Sequence, residues 1–399
     1  MPFKSGLQNP VKMEDKDEKT DELINNDDTI PSQSFLFFML GMCSTLGYFI
    51  FINGSDIFVK VFDDNKVVSS ISRSFYFVYF VCHMFLGLFN YFVIPTFLIK
   101  FGLFGLILVI PCICITTYYA SKSVKWILLI LVGICGGLSS MITNGSRWVL
   151  EQFENHENKY YLIGMSCCGI FASGLRLFIK SSSHNSEKSD SGIYFGFSCF
   201  AYLLTTAILY FKLMIQEIKE RFDVKKQDYM IYSREYWDLF KDTYKSYIFI
   251  FINYCLTFAI FPGYIIQIRN YENYGNWVKT ISIVIFCVFD FLGGELVKKI
   301  HLPEKISQIL VLTRFLFLPI FIISIQGIVY LGDPFWGFFW VIPFGLSNSY
   351  LGGNLSLFIS LDPNHSRNSK KKVINLIFMV RIFGIFIGTC LTFLFDSIK

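Results

Sequence analysis

Residues 126–150 read WILLILVGICGGLSSMITNGSRWVL, and this stretch decides the fold class of the chain. A helix needs about 20 apolar residues to cross the hydrocarbon core of a bilayer. The stretch is long enough, and Arg147, close to its end, is its one charged residue. A membrane-spanning β-strand would need only ~10 residues with alternating polarity, a pattern that this stretch does not show. It therefore predicts a transmembrane helix.

Comparable apolar stretches follow one another along most of the chain. The longest connection between them, residues 215–243, is charged and separates six stretches from five. The sequence therefore predicts an all-α, multi-pass membrane protein with eleven transmembrane helices in a 6+5 arrangement of two bundles. The predicted spans are residues 34–58, 74–98, 102–120, 126–150, 160–181, 192–214, 244–268, 276–298, 305–326, 335–360 and 373–396.

The composition of the chain agrees with this class. Hydrophobic residues make up 53% of the chain and charged residues 16%, and the mean hydropathy is +0.50. A soluble protein carries about 25% charged residues, so an ordinary soluble enzyme is excluded. No GxSxG, HExxH or P-loop pattern occurs, and the 11 cysteines lie almost entirely inside apolar stretches. We therefore expect no enzyme activity, no cofactor and no metal site.

Composition also divides the chain into four parts. Residues 1–33 are polar and predict a disordered tail. Residues 34–214 and 244–399 predict bundles of six and five helices, and residues 215–243 predict a connecting loop. Lys and Arg are more frequent on the side of the tail and of this loop, which the positive-inside rule places in the cytoplasm. The net charge of +5 is spread over such loops, so we expect no nucleic-acid partner.

Several charged residues fall inside predicted spans. Asp290, Arg314 and Arg381 lie in mid-span, and Arg147 lies nearer a span end. A charge at mid-membrane costs about 2.5–3.5 kcal/mol on insertion scales, so each of these residues should face a cavity or a partner. The structural alternative is an interhelical ion pair or a side chain that reaches the interface. Asp290 is the strongest functional candidate, because it lies deepest and precedes two glycines, which allow close approach.

Short motifs in a defined order resemble those of the equilibrative nucleoside transporter family. The resemblance covers essentially all eleven predicted spans, and the residue bias resembles that of a protozoan member. It implies a major-facilitator-like fold and a monomer in the plasma membrane, with a small-molecule nucleoside substrate and the lipid bilayer as partners. The motifs are Asn144–Ser146, Gly164–Ser173, Leu256–Pro262, Phe289–Gly294, Arg314–Pro319, Phe344–Leu351 and Gly384–Phe395.

The resemblance also implies the residues of a binding site. Asp290 is expected to accept hydrogen bonds from ribose hydroxyls, and Asn144 to contact the base edge or the ribose. Gly47-Tyr48-Phe49 stands where the family motif of the first span has Pro-Trp-Asn. The aromatic residue is kept, and Tyr48 is expected to stack on the base. Met84 is expected to supply an apolar wall, and Ile385 is expected to face the pore.

The sequence departs from the family immediately after Asp290. Gly294 stands where the family motif has Arg, so the carboxylate lacks its usual partner. We expect Arg147 or Arg381 to take the place of that Arg. Residues expected to serve packing or gating are Gly293, Gly294, Arg314, Asn348 and Pro262.

Facilitative transport of nucleosides by alternating access is the function that these observations favour, with nucleobases left open as a second substrate class. Proton-coupled transport is the first alternative, because a buried carboxylate without a cationic neighbour favours its neutral form. A receptor without transport is the second alternative. The short loops between the predicted spans offer such a receptor little docking surface.

Overall fold

The computed structural model of the chain describes residues 31–64, 66–88, 94–119, 124–150, 155–182, 187–214, 233–263, 277–326, 334–361 and 367–395. The described part of the chain is helical. Residues 1–30 of the predicted tail and residues 215–232 of the predicted loop lie outside the described residues.

Long helices make up the described chain. In chain order they are α1 (Pro31–Asn53), α2 (Ser55–Phe62), α3 (Val67–Leu88), α4 (Pro95–Tyr118), α5 (Lys125–Leu150), α6 (Asn155–Ser182), α7 (Glu187–Leu213), α8 (Ser233–Ile260), α9 (Trp277–Val297), α10 (Glu304–Thr313), α11 (Phe317–Gln326), α12 (Pro334–Leu361) and α13 (Arg367–Phe395). A 3-10 turn, Arg314–Leu316, joins α10 to α11. Eight helical segments of the described residues are long and apolar enough to cross a membrane. This confirms the prediction of a multi-pass helical membrane protein.

Several predicted boundaries differ from the structure. Residues 31–33, predicted as tail, belong to α1, which ends at Asn53 inside the predicted span 34–58. The predicted span 74–98 is divided between α3, which ends at Leu88, and α4, which begins at Pro95. The apolar residues run on without a polar break there, so hydropathy does not mark the boundary. A proline is favoured in the first turn of a helix, and Pro95 occupies that position in α4.

The connection before α8 also differs from its prediction. Residues 233–243 were predicted as loop, yet α8 begins at Ser233. The backbone leaves helical geometry at Thr243 (φ −125°, ψ 16°), so the charged segment and the apolar segment are two helical pieces that meet at a kink. The helix ends at Ile260, and Pro262 therefore lies in the turn after α8 and not inside a helix.

Neighbouring helices pack in a pattern that occurs twice. Helix α1 packs on α6 and α3 packs on α5, while α8 packs on α13 and α9 packs on α12. Glycines bring the backbones together in these pairs. A Cβ atom on Gly136 would lie 2.2 Å from the Phe75 carbonyl oxygen, and a Cβ atom on Gly293 would lie 2.2 Å from that of Leu346. Small residues of this kind are typical of helix packing in membranes.

Two seams join the helices before residue 215 to those after it. One seam runs between α6 and α9, and the other between α3 and α13. In the second seam Phe80 stacks on Phe386, with ring centroids 5.1 Å apart. In the first seam Gly169 provides the room for Cys287, whose Sγ would be 3.1 Å from a Cβ at that position. Polar residues that lie beside these seams are candidates for a site.

Candidate functional site

Asp290 lies in the middle of α9 with its carboxylate turned towards α12. Its Oδ1 accepts a hydrogen bond from Asn348 Nδ2 at 2.8 Å and one from Ser349 Oγ at 2.6 Å. Asp290 is half-buried, whereas Asn348 is 4% exposed. The close approach of α9 and α12 at Gly293 brings the three side chains within reach. The carboxylate is thus held by two donors and keeps accessible surface at mid-helix.

A chain of buried polar groups continues from Asn348 to Arg314. The Thr257 hydroxyl lies 2.7 Å from Asn348 Oδ1, and Arg314 Nη2 donates to this same hydroxyl at 2.9 Å. Arg314 also donates to the side-chain oxygen of Asn253 and, at 3.2 Å, to the Phe344 carbonyl oxygen. Arg314 is 2% exposed. These residues come from α8, α12 and the 3-10 turn, so the network ties three segments to Asp290.

The turn at Arg314–Leu316 explains how this guanidinium reaches the network. Pro319 lacks the backbone N–H that a continuous helix would direct to the carbonyl of Phe315, and the chain passes from α10 to α11 through 3-10 geometry. Arg314 is the first residue of this turn. A charged residue that was expected to serve packing or gating is therefore the cation that hydrogen bonds connect to Asp290.

Arg381 and Arg147, the two expected substitutes for the family Arg, lie in different places. Arg381 is half-buried in α13, its guanidinium lies 4.7 Å from the centre of the Tyr254 ring, and its charge acts on the Asp290 carboxylate. Arg147 donates to Asn375 Oδ1 at 2.8 Å, near the start of α13. Of the two, the structure brings Arg381 to the neighbourhood of Asp290.

The position of the missing Arg is open. Gly294 is half-buried, and the nearest atom to a Cβ built there is Ser349 Cβ at 3.8 Å, an ordinary van der Waals distance. Gly293, one residue earlier, faces the α12 backbone and has no such room. The two glycines therefore differ in kind: Gly293 is required by helix packing, while Gly294 leaves space beside the carboxylate network.

Asn144 lies in α5 against His83 of α3. Asn144 Nδ2 is 2.8 Å from His83 Nδ1 and donates to the Ser140 carbonyl oxygen at 2.9 Å. The two side chains are 4% and 2% exposed. Met84 follows His83 in α3 and is half-buried, while Ile385 in α13 is buried.

Tyr48 is part of an aromatic cluster that includes residues from both sides of the seams. Its ring centroid lies 4.6 Å from that of Tyr76 and 5.9 Å from that of Phe258 in α8. Phe258 also lies 5.4 Å from Tyr76. Tyr48 is 3% exposed, so contact between its ring and a substrate requires at least one of these neighbours to move away from it.

An ion-pair cluster that the site prediction missed lies where α6 meets α9. Arg176 donates to both carboxylate oxygens of Asp56, at 3.1 and 2.7 Å. Lys180 donates to Asp56 at 3.0 Å and to the Thr280 hydroxyl of α9 at 2.9 Å. Lys180 also lies 5.1 Å from the centre of the Trp277 ring. The cluster therefore connects α2 and α6 to the first turn of α9.

Asn253 and Thr257 were also absent from the site prediction. They lie four residues apart in an apolar helix, which places them on one face, and polar groups in a membrane helix usually face a partner. This spacing is the signal that was available in the sequence. Among the described residues, no group of three or more His, Cys, Asp or Glu side chains is placed to hold a metal ion.

Solved transporters of the major-facilitator type share this fold. The crystal structure of a D-xylose–proton symporter matches with a TM-score of 0.64 and 11% identity, over 90% of this chain and 89% of that chain. The crystal structure of the nucleoside transporter NupG matches with a TM-score of 0.54 and 12% identity, over 90% and 89%. At such identities the likeness concerns the fold alone. The chain is thus a multi-pass helical membrane protein with a major-facilitator-like fold.

Sequence comparison identifies a family that the chain resembles. The family model described as nucleoside transporter matches residues 219–397. Equilibrative nucleotide transporter 2 of Arabidopsis thaliana is 26% identical over 48% of this chain and 53% of the relative, and equilibrative nucleotide transporter 6 is 23% identical over 59% and 62%. The chain spans about half the length of the first of these relatives. The matches confirm the resemblance to the equilibrative nucleoside transporter family. The family and these relatives are transporters, not enzymes.

Proposed function

We propose that the protein transports nucleosides across a membrane, passively and in both directions, by alternating access. The observation that carries this proposal is the half-buried Asp290, held at mid-helix by Asn348 and Ser349. A carboxylate whose Oδ1 is occupied by two donors can still accept hydrogen bonds at Oδ2. Ribose hydroxyls supply such donors. The family resemblance supports the same class of substrate, and the fold supports the same type of motion.

The charge on Asp290 is compensated in this proposal by Arg314 and Arg381. Arg314 acts through Thr257 and Asn348, and Arg381 acts through space. Among the described residues, Asp290 has no directly bonded cation, and its Oδ2 is left to accept from the substrate. The relatives are equilibrative transporters by name, which supports a passive cycle over a proton-coupled cycle.

The remaining contacts of the substrate follow from the residues beside the seams. We propose that Asn144 binds the base and that Tyr48 covers it after Phe258 has moved away. Met84 and Ile385 supply apolar walls. Arg147 serves the seam through Asn375 of α13, and its contacts there change when the two sets of helices rock against each other. Gly293 and Pro262 shape helix packing and the end of α8.

The proposed architecture has eleven membrane spans in a 6+5 arrangement. The span before α12 is made by α10, the 3-10 turn and α11 together. We propose residues 34–214 and 244–399 as the two moving bundles, with residues 215–243 as the connector. The chain acts as a monomer in the plasma membrane, as the family resemblance implies. Its N-terminus lies in the cytoplasm, as the distribution of Lys and Arg favours.

The test is uptake of labelled adenosine into liposomes that contain the purified protein. We expect saturable uptake that unlabelled inosine competes away and that Asp290→Ala abolishes. Asp64→Ala is the matched control. Asp64 lies in the connection before α3 and pairs with Lys125 at the start of α5. Loss of this carboxylate should leave uptake near the wild-type rate.

Failure of the transport function and failure of the role of Asp290 give different results. Protein that is monodisperse in detergent but takes up neither adenosine nor inosine contradicts the proposal, and nucleobases and other polar metabolites are then the substrates to screen. Normal adenosine uptake by Asp290→Ala contradicts the role of the carboxylate while it leaves the transport function in place.

A further inference from the structure

His83 and Asn144 form a hydrogen-bonded pair whose polarity is fixed by the backbone. The Asn144 carboxamide has two N–H groups on Nδ2. One is donated at 2.9 Å to the Ser140 carbonyl oxygen, which can only accept. The other points to His83 Nδ1 at 2.8 Å. His83 Nδ1 must therefore accept, and the neutral imidazole carries its proton on Nε2.

Two aromatic side chains pack on the imidazole that accepts this hydrogen bond. It stacks on Tyr79 one turn earlier in α3, with ring centroids 6.0 Å apart and an angle of 9° between the planes. Tyr79 in turn donates to Thr143 Oγ1 at 3.0 Å, beside Asn144 in α5. Phe378 of α13 also packs on the imidazole, with its ring centroid 5.3 Å from the imidazole centroid. The pair therefore lies packed at the α3–α13 seam.

The contacts with His83 and Ser140 involve the side-chain nitrogen of Asn144 and not its oxygen. The hydrogen bonds that the Asn144 side chain makes within the described residues all use Nδ2, and none uses Oδ1. A free asparagine can present either its donor or its acceptor to a ligand by rotating its amide. Here rotation would break the bond to His83 and turn Oδ1 towards the Ser140 carbonyl oxygen, where two acceptors would face each other. The site therefore offers an acceptor and not a donor.

We propose that His83 is a positioning residue that locks the Asn144 amide with Oδ1 towards the substrate, so that the protein selects nucleosides whose base carries an N–H donor. This inference rests on the proposed function. Adenosine carries such a donor at its exocyclic amine, and inosine carries one at N1 of the six-membered ring. Purine riboside has neither donor and is otherwise identical to adenosine, which makes it a sensitive probe of the contact.

The test measures uptake of adenosine and purine riboside by the same liposomes and compares their ratio between variants. His83→Leu fills the volume of the ring but removes the acceptor, and His83→Asn keeps an acceptor oxygen close to the position of Nδ1. A neutral hydrogen bond contributes about 0.5–1.5 kcal/mol net, so we expect the wild-type preference for adenosine to fall roughly twofold to tenfold in His83→Leu. His83→Asn should keep it within about twofold.

Uptake of purine riboside serves as the internal measure of folding and of transport. A wild-type ratio in His83→Leu overturns the inference, and so does an equal loss of preference in His83→Leu and His83→Asn, because ring packing alone would then set the selectivity. Where His83→Leu is not recovered as folded protein, the change in melting temperature that each ligand causes in His83→Asn and in wild type makes the same comparison. Absence of uptake of both compounds by the wild-type protein contradicts the proposed function instead.

Discussion

The two sets of helices each contain a buried polar cluster on a corresponding pair, and the two clusters differ in charge. Helices α3 and α5 bring His83 to Asn144, and helices α9 and α12 bring Asp290 to Asn348. The first pair is neutral, and its one backbone partner is the Ser140 carbonyl oxygen, which accepts from Asn144. The second contains a carboxylate and extends to the buried Arg314. An asparagine on the later helix of each pair is thus oriented by a titratable residue on the earlier one.

The difference shows how one architecture separates two tasks. A neutral pair costs little to bury once its hydrogen bonds are made, so it can be tuned for base selectivity. A buried charge is expensive, so the second cluster needs a cation and several oriented dipoles to hold it. The same groups that make Asp290 available to a substrate therefore also hold α8, α12 and the 3-10 turn together.

The largest expected effect is on the charged cluster. Arg314→Met removes the donor to Thr257, to Asn253 and to the Phe344 carbonyl, and leaves the Asp290 charge poorly compensated. Breaking a buried charge network costs about 3–5 kcal/mol, so we expect a large fall in the melting temperature in detergent. Arg147→Met is the control, because Arg147 is half-buried, and its cost should stay below ~1 kcal/mol. Equal losses in the two variants would contradict the difference between them.

The glycines beside Asp290 give the next effect. A Cβ on Gly293 would lie 2.2 Å from the Leu346 carbonyl, so Gly293→Ala must separate α9 from α12. Overpacking of this kind costs about 1–3 kcal/mol, and we expect it to disturb the Asp290–Ser349 contact as well. Gly294→Ala meets only ordinary contacts and should keep its melting temperature. A greater loss in Gly294→Ala than in Gly293→Ala would show that the two glycines have been assigned the wrong roles.

The neutral pair should tolerate loss of both partners. In the double variant His83→Leu, Asn144→Leu, neither side chain leaves a buried partner unsatisfied, and such replacement is often close to neutral for stability. We expect a change in the free energy of unfolding below ~1.5 kcal/mol, measured by denaturant titration in mixed micelles. A cost as large as that of Arg314→Met would mean that both clusters are equally structural.

The smallest expected effect is that of the proton gradient. Asp290 accepts hydrogen bonds from Asn348 and Ser349, and the proposed cycle is passive, so it needs no proton from the gradient. Nucleoside uptake should then change by less than about twofold when a protonophore collapses an imposed pH gradient. Uptake that follows the gradient and disappears with it would favour the proton-coupled alternative and would require Asp290 to bind a proton.

Hydropathy predicted most of the helices because a backbone in hydrocarbon must satisfy its own hydrogen bonds. It failed where an apolar stretch contains no polar break and where a charged segment is helical. The predicted span 74–98 runs through Pro95 and is divided between α3 and α4, and the charged residues 233–243 form helix where a loop was expected. Family motifs pointed to Asp290 and Asn144, and the structure places each of them in a polar cluster.

The chain by itself determined the class of protein, because length and polarity decide what a bilayer accepts. It also determined which charges required a partner, since each charge at mid-membrane has a cost that something must offset. Only the tertiary structure decided which partners those are. Arg314 reaches Thr257 and Asn253 from about sixty residues away, and His83 reaches Asn144 across a similar separation. Such contacts depend on which helix faces approach each other. Glycines that allow close contact between backbones determine which faces can do so.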